Sequence, residues 1–146
     1  MSKTNAFETD LLELIFNNLA IANIGDASGL QPSGAAGSLY VSLHTADPGE
    51  AGDQTTSETS YTNYARVAVA RSGAGWTIVG NNVSNTSAIN FPQCTGGSAT
   101  ITHFGIGTAS SGAGNLLFKG ALTASLAVSA GITPQFAAGE LDVNED

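Results

Sequence analysis

Few side chains in this sequence have the types and spacing that chemistry requires. His44 and His103 are its two histidines, and Cys94 is its single cysteine. A hydrolytic triad needs a nucleophile and an orienting carboxylate around one histidine, and no nucleophile-elbow sequence occurs. His44 stands three residues before Asp47, so the two could share the mouth of a loop. Its place in an alternating segment instead makes it a polar residue on an exposed strand face, and neither histidine is expected to act in catalysis or metal binding. Asp47, Glu50 and Asp53 are spaced three apart. That spacing departs from a calcium loop, which needs oxygen ligands at alternate positions, a central glycine and a terminal bidentate glutamate. Weak surface binding of a divalent cation by this loop stays open. Glu140, Asp142, Glu145 and Asp146 read as solvated tail charge. Cys94 has no second thiol for a disulfide or a metal site. Gly105-Ile-Gly107 and Gly112-Ala-Gly114 lack the rest of a nucleotide-binding fingerprint and the Walker lysine, so they read as turn glycines. No catalytic residue, metal or cofactor is expected.

The elements that carry these residues are mostly strands. Leu39, Val41 and Leu43 alternate with Tyr40, Ser42 and His44, the period of a strand with one buried face. Asp47-Pro48-Gly49 then makes a turn, because proline presets φ and glycine accepts positive φ. Near the N-terminus, Phe7, Leu11, Leu14 or Ile15, and Leu19 fall on one helical stripe. Asn5 and Glu8 form a capping box, and Gly25 suits the position after the helix, which predicts a helix over about 6–24. Apolar residues also spill around its circumference at Leu12, Phe16 and Ile21, which suggests contact on two sides. Residues 26–37 and 47–60 are polar connections, and the second is long enough to be functional or mobile. Short strands are expected at 65–70, 76–79, 83–86, 88–91, 100–106, 116–121, 124–128, 132–136 and 141–143, separated by glycine-rich turns. Residues 117–128 could also form a short helix, but Gly120 and the β-branched positions favour strand. The pattern predicts a mainly β fold, an antiparallel jelly roll or β-sandwich of about eight to ten short strands with one N-terminal helix. Residues 1–37 would be a helix and linker arm, and residues 38–146 a single β unit.

Composition narrows the partners. Charged residues make up 11% of the chain, against roughly 25% in an ordinary soluble domain. A weakly charged surface of small residues suits a protein covered by neighbours, and it equally suits a β fold with many turns. The net charge is −8, with four cations, Lys3, Arg66, Arg71 and Lys119, scattered along the chain. Nucleic-acid binding needs clustered cations that displace counterions, so no direct contact with nucleic acid is expected. A polybasic membrane contact is excluded for the same reason. The apolar run from Leu11 to Ile24 is interrupted by Glu13, Asn17, Asn18 and Asn23, so it is no membrane span. No secretory signal is apparent, and synthesis in a cytoplasm is expected. Tyr61, Tyr64 and Trp76 are the aromatic anchor candidates, with core packing preferred for Trp76.

Several segments together resemble a group of small structural proteins of tailed-phage virions. They are Leu39-Tyr-Val-Ser-Leu-His-Thr-Ala-Asp-Pro-Gly-Glu50, Tyr64-Ala-Arg-Val-Ala-Val69, Gly75-Trp76, Ile89-Asn-Phe-Pro92, Ile101-Thr-His-Phe-Gly-Ile106 and the following Gly-Asn-Leu-Leu-Phe-Lys-Gly-Ala-Leu. Members of this group include jelly-roll capsid cement (decoration) proteins and tail or tail-fibre components. The resemblance implies a non-enzymatic virion protein on the outer surface of a bacteriophage capsid, made in the cytoplasm of the bacterial host. It would bind the assembled shell of an HK97-like major capsid protein, stabilise it by bridging subunits, and self-associate on the virion. A tail or tail-fibre component is the alternative, and a carbohydrate-binding jelly roll is a third. The contacts would come from the helix (Leu12, Phe16), the polar loop (Asp47, Glu50, Asp53, Glu58, Tyr61) and the acidic tail (Glu140, Asp142), with the strands as frame.

Overall fold

The computed structural model describes residues 1–145. Asp146, one of the tail carboxylates named above, lies outside the described residues. The fold is mainly β, with several antiparallel sheets and one N-terminal helix, as the sequence pattern predicts. The elements run α1 (Asn5–Asn17), β1 (Ser38–His44), β2 (Val67–Ala70), β3 (Trp76–Val79), β4 (Asn82–Asn85), β5 (Ile89–Asn90), β6 (Ser98–Gly107), β7 (Leu116–Ser129), β8 (Gln135–Phe136) and β9 (Asp142–Asn144). They form a four-stranded sheet in the order β2-β1-β6-β7, a three-stranded sheet β3-β4-β9 and a two-stranded ribbon β5-β8.

Contacts group the chain into two units that are interleaved in sequence. The first comprises residues 1–38, 70–88 and the segment from Ala137 onward. The second comprises Leu39–Val69 and Ile89–Phe136. The unit that holds the helix also draws in β3, β4 and β9.

In the first unit the helix is shorter than its apolar pattern predicts. It ends at Asn17, and Asn18 turns into the left-handed region at φ 56°. Asparagine tolerates that conformation better than most residues, and two adjacent asparagines are poor helix formers. Arg71 reinforces the stop by donating to the carbonyls of Ile15 (2.6 Å) and Leu14 (2.7 Å). Those acceptors are left without intrahelical donors at a helix end, and a cation there also meets the negative end of the dipole. Beyond the stop, Ile21 pairs with Leu30 in an antiparallel bridge instead of continuing the helix. At the other end Thr4, not Asn5, is the capping residue, and no side-chain cap bond forms.

The buried helical face also differs from the predicted stripe. Glu8, Leu12 and Phe16 are the buried residues of α1, spaced four apart. Phe7, Leu11, Leu14 and Ile15 are half-buried, and Leu19 is exposed. Leu12 and Phe16 thus belong to the core, where the Phe16 ring meets Trp76 edge-on at 4.9 Å. The charged start of this row, Glu8, hides it from a count of apolar positions. Asn85 closes the same unit. Its buried side chain donates to the carbonyls of Ser87 and Ala137 (both 2.8 Å) and accepts from the Leu141 amide (2.9 Å).

In the second unit β1 and β6 pair from Tyr40↔Gly107 to His44↔His103. An aromatic core joins the four-stranded sheet to the β5-β8 ribbon. Phe136 meets Phe104 at 6.1 Å and Phe91 at 6.2 Å, and Tyr64 stacks on Phe91 at 6.4 Å. These two layers facing each other are consistent with a β-sandwich. The strand reading of 117–128 holds, and the two strands predicted at 116–121 and 124–128 are one strand with an irregular middle.

Candidate functional site

The polar residues that could do chemistry cluster in the second unit, around the returning arm of segment 47–60. That segment folds back on the end of β1, where the Thr45 amide donates to Ser57 (2.8 Å) and the Thr59 amide donates to Leu43 (2.9 Å). Glu58 is thereby placed opposite His44. Arg66 grips Glu58 through two bonds, Nε to Oε1 at 2.7 Å and Nη2 to Oε2 at 2.8 Å. Its remaining donors reach the carbonyls of Ala109 (2.9 Å) and Gly112 (2.8 Å). Tyr64 donates its hydroxyl to Glu58 (2.8 Å) and accepts from the Leu43 amide (3.1 Å). Glu58 raises the Arg66 pKa further, while burial drives that of Tyr64 well above the usual phenol range. Arg66 and Tyr64 therefore keep their protons at neutral pH and hold Glu58 as a clamp.

Gln54 supplies the second half of the clamp. Its amide donates to Ala113 (2.9 Å), and its side-chain oxygen accepts from the Ala109 amide (2.8 Å). Segment 53–58 and segment 109–113 are thus tied together through Gln54 and Arg66. Tight packing explains two glycines here. A Cβ on Gly107 would lie 2.2 Å from Gln54 Cδ, and one on Gly105 would lie 2.7 Å from both His44 Nε2 and Ser42 Oγ. Gly107→Ala is therefore expected to destabilise the protein by about 1–3 kcal/mol through overpacking. A shift of the urea midpoint at unchanged m-value would register this.

His44 lies inside this clamp and not on an exposed face, which corrects the expectation from strand alternation. It is fully buried because the arm 56–59 covers that face of β1. Nδ1–H donates to the Thr56 carbonyl at 2.9 Å, which leaves Nε2 to accept from the Ser42 hydroxyl at 2.8 Å. Burial lowers its pKa below the ordinary 6.5, outweighing the Thr56 bond and the Glu58 charge that favour the cation. The unfolded chain therefore takes up a proton more readily than the folded one. Stability from this group is full above 6.5 and falls as pH drops through 6.5 towards the lower folded-state value. Denaturation curves between neutral and mildly acidic pH should show this slope in the wild type, and His44→Gln should remove that part of it.

The three spaced carboxylates split between two roles. Asp47 accepts from the Gly49 amide at 2.9 Å and shares Lys119 with Glu50, at 3.0 and 3.1 Å. The Gly49 bond and then Lys119 lower the Asp47 pKa, and the two carboxylates raise that of Lys119. Asp53 turns away and binds the Thr55 amide (2.8 Å) and hydroxyl (2.6 Å), which lowers its pKa. Gly49, Glu50, Gly52 and residues 116–119 line an open notch of about 280 Å³ beside Lys119. Among the described residues, no three His, Cys, Asp or Glu side chains gather in a way that could hold a metal ion. Cys94 is buried with Sγ 3.2 Å from the Gly96 carbonyl. No helix of the structure is long and apolar enough to cross a membrane.

The match that decides the family is to the model described as "Podophage GP4 fiber I protein gp80", which covers residues 2–144. The chain belongs to this family. The protein is thus of a phage structural family, and the match takes in both units, the helix included. Comparison with curated proteins gave no match.

The contact residues expected in this family member from its sequence fall into two sets. Leu12, Phe16 and Tyr61 are buried; Tyr61 donates to the Pro92 carbonyl at 2.9 Å, and burial pushes its pKa up to about 12. Glu58 is spent on Arg66. Asp47, Glu50, Glu140 and Asp142 remain exposed, and Asp53 is half-buried. Asp142 lies in β9, whose pairing with β4 turns the expected acidic tail into part of a sheet. Gln54, Arg71 and Asn85 organise the fold and escape a reading by sequence. The one signal for Gln54 is the distant glycine-rich segment 105–114, where Gly107 and Gly114 leave room for its side chain.

Proposed function

We propose that the chain is a non-catalytic structural subunit of a podophage virion, and that its place is in the fibre. The family match across residues 2–144 carries this reading. The structure is compatible with it, because the polar groups best suited to chemistry are engaged in holding the frame. His44 lies between Ser42 and Thr56, and Glu58 between Arg66 and Tyr64. The chain would assemble with other tail proteins and with copies of itself, many modest contacts giving avidity on a symmetric particle.

A cement role on an HK97-like shell is the second reading. It is favoured by the strand-and-turn segment at 38–52 and by the exposed carboxylates at Asp47, Glu50, Glu140 and Asp142, which could meet basic patches on a capsid. Binding only the assembled shell would then stabilise it by mass action. Incubation of the tagged chain with separately purified tails and capsids discriminates between the two. Co-sedimentation with tails is expected. Co-sedimentation with capsids alone would move the protein to the shell.

A further inference from the structure

Strand β7 is an edge. Among the described residues, the sheet order β2-β1-β6-β7 gives it a strand partner on one side alone. Exposed edges of soluble proteins are usually blunted with charge or proline. No charged residue and no proline lies between Gly120 and the end of this strand, and its one charge, Lys119, is held by Asp47 and Glu50. The strand also carries an irregularity. Ile101 pairs with Leu126, and His103 next pairs with Ala121, so residues 122–125 stand opposite Thr102 alone. A bulge of this kind frees backbone groups from the ladder. Thr123, Ala124 and Ser125 are exposed, while Leu122 and Leu126 on either side are half-buried.

The sequence across the bulge is nearly its own mirror image: Ala121-Leu-Thr-Ala-Ser-Leu-Ala127. We propose that this edge pairs with β7 of a second copy of the chain, antiparallel, about a two-fold axis at Ala124. In that register Leu122 faces Leu126 of the second copy, Thr123 faces Ser125, and Ala121 faces Ala127. Leucine meets leucine, hydroxyl meets hydroxyl, and small meets small, the self-complementarity that a two-fold interface requires. Lys119 falls opposite Ser129 of the second copy, so no like charges face each other despite the net charge of −8. From Gly120 onward a charged partner would find nothing on this strand to recognise, whereas an identical strand finds its match at each position from 121 to 127. The inference concerns the chain alone and does not depend on where it sits in the virion.

The test uses the full chain in sedimentation equilibrium, with Ala124→Lys as the disrupting variant. The wild type should dimerise. Ala124→Lys, which sets two cations against each other on the axis, should be monomeric with unchanged circular dichroism and melting. A monomeric wild type, or a variant that still dimerises, overturns the proposal. Register is read separately by oxidation of Ala124→Cys. Residues facing each other across an antiparallel pair have Cα atoms about 4.5–5.5 Å apart, within disulfide range. Ala124→Cys should therefore cross-link into a dimer, and Ser129→Cys, far from its own copy in this register, should not. Equal cross-linking of the two overturns the axis at Ala124.

Discussion

Arg66→Ala is expected to destabilise the protein by about 3–5 kcal/mol, the range for removing one partner of a buried ion pair. The Arg66 side chain is 2% exposed and that of Glu58 14%. Truncation leaves the Glu58 carboxylate buried with Tyr64 as its remaining donor, and it strips the carbonyls of Ala109 and Gly112 of their partner. An exposed pair would cost under about 1 kcal/mol, so the two cases are well separated. The double variant Glu58→Leu with Arg66→Met should recover much of the loss, since the penalty comes from the stranded charge more than from the missing attraction. Urea denaturation of the wild type, Glu58→Leu, Arg66→Met and the double variant completes a mutant cycle. A single-variant cost near that of a surface pair would show that water reaches Glu58 and that the clamp is not closed.

Trp76→Ala is expected to cost about 3–5 kcal/mol, because a large buried ring is exchanged for a cavity. Trp76 has no exposed surface, and it meets Phe16 edge-on at 4.9 Å. Its indole Nε1 is buried and has no hydrogen-bond partner among the described residues. Trp76→Phe should therefore cost far less, since it removes an unpaired donor whose burial is unfavourable by about 1–3 kcal/mol while keeping most of the ring. Thermal melts followed by far-ultraviolet circular dichroism check both variants, because the chain has no other tryptophan to report by fluorescence. Equal losses in the two variants would mean that Nε1 does have a partner in solution.

The frame was legible where the signal is local. The alternation of Leu39, Val41 and Leu43 gave β1, and glycine-rich spacing gave most of the short strands. The two strands read on either side of residues 122–123 flank the region where β7 leaves the ladder of β6. The illegible features depend on partners distant in sequence. The burial of His44 follows from residues 56–59 folding over it, and nothing at positions 40–48 encodes that cover. Arg71 meets its carbonyl acceptors more than fifty positions away, at Leu14 and Ile15, so the early end of α1 was legible only as a pair of asparagines. The candidate contacts divided in the same way. Glu50 and Asp142 are exposed, whereas Glu58, of the same type in sequence, is half-buried against Arg66.

The interleaved first unit has a consequence for how the protein is made. Its helix is synthesised before β9, but β4 pairs with β9 at Val83↔Val143, and Lys3 meets Glu145 at 3.1 Å. The unit therefore cannot close until residues 142–144 have been synthesised. Until then Val83 lacks its partner Val143, and Asn85 lacks its partners at Ala137 and Leu141, so premature termination would release chains with this buried pair of positions uncovered. Such chains are substrates for chaperones or proteases.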